Sequence, residues 1–411
     1  MKHIVIIGNG ISGVTAARYI RKKSNHQITI ISSESKHFYS RTALMYIYMG
    51  HMKYEHTKPY EDSFWEKNNI QLVFNHVNEI AFDKKQLHLM DGKSMNYDVL
   101  ILALGSKPNF FSWKGVTLEG IRGMYSLQDL NYIEQFTDGI NEASVVGGGL
   151  IGVELAEILH SRGIHTHFIV RENHFWSKFL SQEESEMVSR HIKNHGIDLR
   201  LASEVEEFLG EKRIQQLKLK NGEILNSQFA GICIGVSPNI EFLKNNHLIK
   251  TNRGILVDEF LQTNIADVYA VGDCVEHIHP PVNRPPVEQV WYTGKIMGET
   301  VAQTICGKPT KYAPGIWFNS AKFFDLEYQT YGLVSKNIET ATYLKQDLEN
   351  ERSIRIEYDK STKSVLMGSL LGIRMRHEVW DHWIRSKASI DEVLKNISLA
   401  FFDPEFTKPM I

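Results

Sequence analysis

Two stretches of the chain repeat one hydrophobic pattern. Ile4–Ile7 is an unbroken apolar run of β-branched residues cut off by Gly8. Such a run predicts a strand buried on both faces, as in a parallel sheet. A helical pattern over Val14–Arg21 follows, then a second apolar strand at Ile28–Ile31. The same order returns later, with Ala143–Val146 as strand, Ile151–Leu159 as helix and His167–Val170 as strand. Two strand–helix–strand units predict two separate folds built alike. Between them the texture is different. Gln71–Phe74, Glu79–Phe82 and Gln86–Met90 read as short strands, with Asp91-Gly92 as a turn. Tyr97–Leu104 is a further apolar strand, closed by Gly105 and Pro108. After the second unit come strands at Ile197–Leu201, Gln215–Leu219, Phe229–Ile234 and Val268–Val271, then a long helix over Glu288–Ile305. Beyond Pro314 the chain is rich in aromatic residues up to Tyr331. Strand-like alternation then leads to Leu366–Ile373, and helical patterns close the chain at His377–Ile384 and Ile390–Leu399.

Composition narrows the class without naming a function. Hydrophobic residues make up 42% of the 411 residues and charged residues 23%, a globular rather than disordered balance. The formal net charge of −2 gives no global basic field, so no nucleic-acid partner is expected. The opening apolar run is too short for a signal segment, and no stretch reaches the roughly 18 apolar residues of a membrane span. The three cysteines, Cys233, Cys274 and Cys306, form no CxxC pair. That spacing offers neither a disulfide framework nor a zinc site and suits a reducing compartment. The expectation is a cytoplasmic protein with no integral membrane span. His277 and His279 precede Pro280-Pro281 at a ligand-like spacing. They have no evident carboxylate or cysteine companion, so they read as a solvated loop and no metal is expected.

The glycines at the two repeated turns carry the chemistry. Gly8-Asn9-Gly10-Ile11-Ser12-Gly13 is a GxGxxG between strand and helix. Gly8 permits the tight turn, Gly10 removes a side chain where a pyrophosphate approaches the backbone, and Gly13 lets helix and strand pack closely. Ile11 and Ser12 open the helix whose N-terminal amides would face the phosphates. Glu34, about twenty residues on, stands where a carboxylate accepts hydrogen bonds from ribose hydroxyls. The second turn is Gly147-Gly148-Gly149-Leu150-Ile151-Gly152, with Glu154 close behind. Here Gly147, Gly149, Leu150, Ile151 and Gly152 take the same roles. The strand after it ends Val170-Arg171-Glu172. Arg171 suits the 2′-phosphate of NADPH and Glu172 suits the ribose of NADH, so the choice between the two stays open.

Two further segments give the chain a family resemblance. Tyr97-Asp98-Val99-Leu100-Ile101-Leu102-Ala103-Leu104-Gly105-Ser106-Lys107-Pro108 resembles the YDxLIxATGSxP segment of the pyridine nucleotide–disulfide oxidoreductase superfamily. Thr263 through Asp273 resembles that superfamily's T…xxIYAxGD segment, and Ile232 through Asn239, with Gly235, its xIGxxPN segment. The resemblance runs from about Met1 to Tyr312. It implies FAD on the first glycine turn and NAD(P)H on the second. It also implies roles in cofactor binding for Val77, Ala103, Gly105, Gly235 and Asp273, the last at the ribityl chain of FAD. Pro286 through Gly294, including Glu288 and Gln289, should lead into the helix that points at the flavin. Glu154 would orient the nicotinamide. The implied fold class is α/β. It has two Rossmann-like dinucleotide-binding domains, the NAD(P) domain inserted in the FAD domain, plus a smaller α+β C-terminal domain. The expected boundaries are 1–112 and 245–313 for the FAD domain, 113–244 for the NAD(P) domain and 314–411 for the last.

One segment discriminates within the superfamily. Phe38-Tyr39-Ser40-Arg41-Thr42-Ala43-Leu44 resembles the Y(S/D/N)RxxL stretch of NADH-dependent rubredoxin, ferredoxin and nitrite reductase flavoproteins, which implies Arg41 at the FAD phosphates or near the flavin. Relatives that work through a flavin thiol carry a cysteine on an early helix or near position 42. This chain has Thr42 there and no cysteine before Cys233. Tyr46 stands where some relatives place a lysine near the flavin, and Leu150 where many have a gating aromatic residue. The expected activity is therefore an FAD-dependent NAD(P)H oxidoreductase that hands electrons to an external acceptor. A small iron–sulfur electron carrier of the ferredoxin or rubredoxin type leads, and a homodimer is compatible with the resemblance. The alternatives are an NAD(P)H:quinone reductase or diaphorase, suggested by the apolar Ser398–Phe402, and a flavin-bound sensor or subunit acting through a partner. Trp317, Phe323, Phe324 and Tyr328 read as core, flavin-edge or docking residues, and Trp380 and Trp383 as core.

Overall fold

A computed structural model describes residues 1–335, 337–403 and 405. The last stretch of the expected C-terminal domain, 406–411, lies outside the described residues. The chain divides into two units. The first comprises Met1–Asn109, Tyr125–Tyr132 and Val236–Pro314, the second Phe110–Met124, Ile133–Gly235 and Gly315–Ile411.

The first unit is built on a five-stranded sheet in the order 268–270, 99–102, 3–7, 27–32 and 70–74. All neighbours are parallel. Ile4, Val5 and Ile6 have no exposed surface, which is why this strand shows no polar alternation. The helix Ile11–Lys23 follows the first strand, and Trp291–Ile305 packs against it. Gly294 and Gly298 make that approach possible. A Cβ on Gly298 would lie 2.5 Å from the Ser12 carbonyl oxygen, and one on Gly294 2.6 Å from Ser12 Oγ. An antiparallel sheet of Val77–Ala81, Gln86–Leu89 and Ser94–Asn96 forms the crossover before the strand Val99–Leu102.

The second unit repeats the plan. Its parallel sheet runs 198–200, 165–169, 142–146, 230–232 and 121–122. The helix Leu150–Ser161 follows the central strand, and an antiparallel sheet of Val205–Gly210, Ile214–Leu219 and Ile224–Asn226 is appended. The C-terminal stretch adds a five-stranded antiparallel sheet, in the order 318–323, 326–332, 365–371, 352–359 and 340–347. The helix His377–Ser386 covers it, burying Trp380 and Trp383 edge to face at 5.5 Å. Phe323, Phe324 and Tyr328 are likewise buried, so these aromatic residues serve the core. A buried polar cluster joins this sheet to the preceding fold. Arg355 Nε donates to Glu184 at 2.7 Å and its Nη1 to Glu357 at 2.8 Å, while Ser369 also donates to Glu184.

Several elements differ from the sequence expectation. The helix expected from Glu288 begins at Trp291. Glu288 is fixed by a buried ion pair with Arg284 at 2.7 Å, and Val290 is extended, so the chain cannot coil before Trp291. Trp291 and Tyr292 are more than a third exposed at that helix start. The helical pattern of Ile390–Leu399 breaks at Asn396 into Ile390–Lys395 and a tight 3₁₀ turn, Ile397–Ala400. Ala400 and Phe401 are buried there, so Ser398–Phe402 presents no continuous apolar face. Two helices, Leu127–Thr137 and Gln182–Asn194, were not expected. The second has a legible signal. Ser181 and Glu184 form a capping box, in which Ser181 Oγ accepts from Glu184 N and Glu184 accepts from Ser181 N.

His277 is not in a solvated loop. It closes the strand Val275–His277 and stacks on Tyr312 at 4.9 Å, 4% exposed. Burial holds its imidazole down at about 4. A free histidine titrates near 6.5, so the folded state resists the proton that the unfolded chain accepts. The stability owed to the neutral ring is complete above about pH 6.5 and is lost as pH falls through 4. His277 should therefore contribute roughly 3 kcal/mol of destabilisation between pH 7 and pH 4. Urea unfolding of wild type and His277→Phe at both pH values checks this; equal pH dependence in the two would refute it.

Candidate functional site

Each glycine turn is shaped by what a side chain would strike. Gly8 sits at φ +111, and a Cβ there would come 2.0 Å from the Ala103 carbonyl oxygen. A Cβ on Gly13 would lie 2.2 Å from the Gly8 carbonyl oxygen. Gly10 is different, because nothing lies within 4 Å of its Cβ position. It is also the N-cap of Ile11–Lys23 and makes no side-chain cap, so the first amides of that helix are not capped by a side chain. The second turn reproduces this. Gly147 has φ +116 and backs onto the Cys233 carbonyl oxygen at 2.3 Å, Gly152 onto the Gly147 carbonyl oxygen at 2.0 Å, and Gly149 faces open space. Two glycines in each turn are needed by the fold, and one leaves a cradle beside an uncapped helix N-terminus. That is the shape a dinucleotide pyrophosphate requires.

In the first unit the groups around the turn form one network. Asn9, which the glycine pattern does not single out, is buried and ties the turn to the end of the second strand. Its Nδ2 donates to the Ser35 carbonyl at 2.8 Å, and its Oδ1 accepts from Ser32 Oγ at 3.0 Å. Glu34 lies just past that strand. Its carboxylate accepts Arg41 in a bidentate pair, at 2.9 and 2.7 Å, and also the Tyr39 hydroxyl and the Leu127 amide. Burial alone would raise the Glu34 pKa, but the Arg41 pair outweighs it and holds the carboxyl below its usual range. Three of these four bonds fall on Oε1 and one on Oε2. A carboxylate offers about four lone-pair directions, so Oε2 keeps capacity for a ribose hydroxyl. Arg41 also donates to the Tyr125 carbonyl at 2.5 Å and lies 4.3 Å over the Tyr125 ring.

A second chain of bonds runs through Ser106. Gln289 Nε2 donates to Ser106 Oγ at 2.8 Å, which donates to Asp273 Oδ2 at 3.0 Å. Burial raises the Asp273 carboxyl above its usual range, against the Ser106 bond. The Tyr125 hydroxyl accepts from the Ser106 amide at 2.9 Å beside Gly105, which has φ +68. Ser106 and Tyr125 thus join residues far apart in the chain; neither was singled out from sequence, and no local spacing signals Tyr125. Val77 opens its strand and is buried, and Ala103 continues the sheet register with Ile7. Glu288 has both carboxylate oxygens engaged, by Arg284 and by the Tyr312 hydroxyl. Tyr46 lies in the short helix Leu44–Tyr48 and stacks on His51.

In the second unit, Glu154 lies one turn into the glycine helix. Burial, reinforced by Glu157 three residues on, pushes its carboxyl up to about 7. Leu150 and Ile151 begin that helix. Arg171 is exposed and pairs with Glu172 at 3.0 Å just beyond the strand His165–Ile169. Gly235 makes its turn at φ +97. The cysteines are poor nucleophiles. Burial pushes the Cys274 thiol up to about 12 and raises Cys233 and Cys306 as well.

Comparison with known proteins agrees with this geometry. The chain is 29% identical over 315 residues to nitrite reductase [NAD(P)H] of Bacillus subtilis, covering 75% of this chain and 38% of that protein. It thus spans about two fifths of that relative's length. It is 27% identical over 338 residues to a ferredoxin–NAD(P)(+) reductase of a Sphingomonas species, covering 81% of each. The crystal structure of a ferredoxin reductase from Rhodopseudomonas palustris superposes with a TM-score of 0.83 at 19% identity, covering 90% of this chain and 91% of that one. That likeness establishes the two-dinucleotide-fold architecture. Among the described residues no helix is long and apolar enough to cross a membrane. The sequence profile of the pyridine nucleotide-disulphide oxidoreductase family matches residues 2–302, and with both glycine cradles, the Glu34 network and the Asp273 segment in place, the chain belongs to that family, whose members bind FAD and NAD(P)H.

Proposed function

We propose that this protein is an FAD-dependent NAD(P)H oxidoreductase that delivers electrons to a separate acceptor, a small iron–sulfur protein of the ferredoxin or rubredoxin type. The observation that carries the reading is the absence of sulfur chemistry beside two intact dinucleotide cradles. Thr42 fills the cysteine position of thiol-dependent relatives, and burial raises all three thiols. A thiolate relay needs a low-pKa, accessible cysteine. Bound FAD would supply hydride acceptance from NAD(P)H and release of electrons onward.

The chain's own residues do the holding and positioning. Gly8, Gly10, Ile11, Ser12 and Gly13 receive the FAD pyrophosphate at a helix N-terminus. Glu34 Oε2 accepts the adenosine ribose, with Arg41 fixing the carboxylate. Val77, Ala103 and Gly105 line the cofactor with backbone, and Asp273, oriented by Ser106 and Gln289, accepts from the ribityl chain. Gly147, Gly149, Leu150, Ile151 and Gly152 receive NAD(P)H, with Arg171 and Glu172 at its ribose and Gly235 closing the turn. Glu154 orients the nicotinamide carboxamide. The similarity to a ferredoxin–NAD(P)(+) reductase over most of both chains supports the acceptor class.

Anaerobic titration of the flavoprotein with NADH and then NADPH, followed by a panel of acceptors, tests this. Reduction of an added ferredoxin or rubredoxin should be fast and should slow as salt is raised, because long-range charge steering is screened. Fast turnover with a quinone and none with any iron–sulfur protein would overturn the acceptor assignment. Flavin that stays oxidised with both nucleotides would overturn the enzyme itself.

A further inference from the structure

The unexpected helix Gln182–Asn194 carries a second constellation. His191 lies in its last turn, and His195 follows four residues on, just past its end and on the same face. The hairpin between the strands Phe318–Phe323 and Leu326–Gly332 turns at Phe324, φ +60, and sets Asp325 against that face. His191 Nε2 lies 2.9 Å from Asp325 Oδ1, and His195 Nε2 lies 3.2 Å from the same oxygen. All three residues belong to the second unit.

The other ring nitrogens decide what these contacts are. His191 Nδ1 is 2.8 Å from Glu351 Oε2, and His195 Nδ1 is 2.9 Å from the His191 carbonyl oxygen. An ionised carboxylate and a carbonyl only accept, so each Nδ1 carries its proton. In the neutral ring that leaves each Nε2 as a bare lone pair. Two lone pairs and a carboxylate oxygen then converge with no proton between them. His191 is 4% exposed, and its Nε2 makes no hydrogen bond. Converging acceptors of which one, His191 Nε2, is buried are unfavourable unless a proton or a metal cation sits among them.

The spacing suits a metal. Ligand atoms on a tetrahedron about 2.0–2.1 Å from zinc lie about 3.3 Å apart, within a few tenths of the observed separations. Glu351 on His191 Nδ1 is the outer carboxylate that orients a ligating histidine and sharpens its basicity. Glu157 Oε2 is a further buried oxygen without a hydrogen-bond partner, in the field of His195, Asp325 and Lys322. A second histidine cluster, His165, His167 and Asp198, also holds a buried nitrogen without a hydrogen-bond partner, His167 Nε2, but differs at its carboxylate. There Asp198 Oδ2 already takes the Arg200 guanidinium at 2.7 Å, whose charge opposes another cation.

We propose that His191, His195 and Asp325 form a site for one divalent transition-metal ion of the zinc class, which ties the helix Gln182–Asn194 to the hairpin of the C-terminal sheet. Two imidazoles and one carboxylate are a borderline donor set that favours Zn²⁺ over Ca²⁺ or Mg²⁺. The remaining positions fall to water or Glu157.

The test uses the full-length, FAD-loaded protein stripped with a chelator and titrated with Zn²⁺ by calorimetry. Zinc-edge X-ray absorption and thermal melts are run alongside. The expected result is one Zn²⁺ per chain, a first shell with two imidazole nitrogens, and a Tm that rises with Zn²⁺. His195→Gln and Asp325→Asn, which lie toward the surface and should keep the flavin spectrum, should each weaken binding at least ~100-fold and abolish the Tm rise. Glu351→Gln should weaken it by about 10- to 100-fold. The double variant His165→Gln/His167→Gln should bind as wild type does. No one-to-one binding, binding that survives both His195→Gln and Asp325→Asn, or a shell without imidazole would overturn the site.

Discussion

Gly8→Ala should produce a protein that unfolds easily and retains no FAD, whereas Gly10→Ala should fold as wild type does and lose FAD alone. The two glycines are two residues apart, yet they meet opposite surroundings. A methyl on Gly8 would sit 2.0 Å from the Ala103 carbonyl oxygen, at a φ of +111 that L-residues avoid. Ala103 is held by the central sheet, its amide bonded to the Ile7 carbonyl at 2.8 Å, so it cannot retreat. Overpacking and a forbidden φ together cost on the order of 4 kcal/mol. For a unit of this size that is a fall of roughly 10 °C in Tm. Gly10 has φ −69 and nothing within 4 Å, so an added methyl meets no protein atom. It would stand instead where the pyrophosphate meets the helix. Melting should be compared on apoprotein, because bound cofactor adds its own stabilisation. Retained FAD is then read by absorbance after dialysis. A Gly10→Ala protein that keeps FAD at wild-type affinity would refute the cradle. Gly149→Ala is the counterpart in the second unit and should raise KM for NAD(P)H while leaving FAD in place.

Glu154→Gln should lower kcat/KM for NAD(P)H by about 10- to 100-fold, the value of one hydrogen bond to a charged acceptor. It should also erase a pH dependence. Burial, with Glu157 beside it, places the Glu154 titration at about 7. In the role proposed for Glu154 the ionised form would accept from the carboxamide NH₂, so wild-type KM should fall as pH rises through 7, and the variant should show no such step. Stability should move the opposite way. A carboxyl raised from its ordinary range near 4.3 favours the fold below that value and forfeits the advantage as pH rises through 7. At pH 8 the buried carboxylate is a burden of about 3–4 kcal/mol, so Glu154→Gln should be the more stable protein there. An unchanged kcat/KM with an unchanged pH profile would remove Glu154 from the nicotinamide site. Faster activity loss with no gain in stability at pH 8 would contradict its burial.

Both glycine cradles are legible in the residue order because their cause is local. A tight turn, a close helix and a bare helix N-terminus each demand glycine at a fixed offset, whatever lies elsewhere. The buried parallel strands are legible for a related reason, since strands covered on both faces cannot alternate. The same holds for the Ser181–Glu184 capping box, whose signal is complete within four residues. The start of the helix at Trp291 is not legible. It depends on Arg284 pairing with Glu288, a contact whose strength comes from burial that the sequence does not state.

The chain's residue order was enough to establish two dinucleotide folds, the glycines that shape both turns and the lack of a cysteine before Cys233. These follow from backbone sterics and from which atoms a side chain contains. The rest depends on residues brought together from distant parts of the chain. Arg41 closes on Glu34 only because Tyr125 and Leu127 are folded beside them, and Ser106 joins Asp273 to Gln289 across more than 160 positions. Glu154 gains its raised pKa from burial, and His191, His195 and Asp325 converge through a helix and a hairpin more than 120 residues apart. Charge, protonation and metal affinity are set by the neighbours a fold supplies in three dimensions, and spacing along one chain does not encode those neighbours.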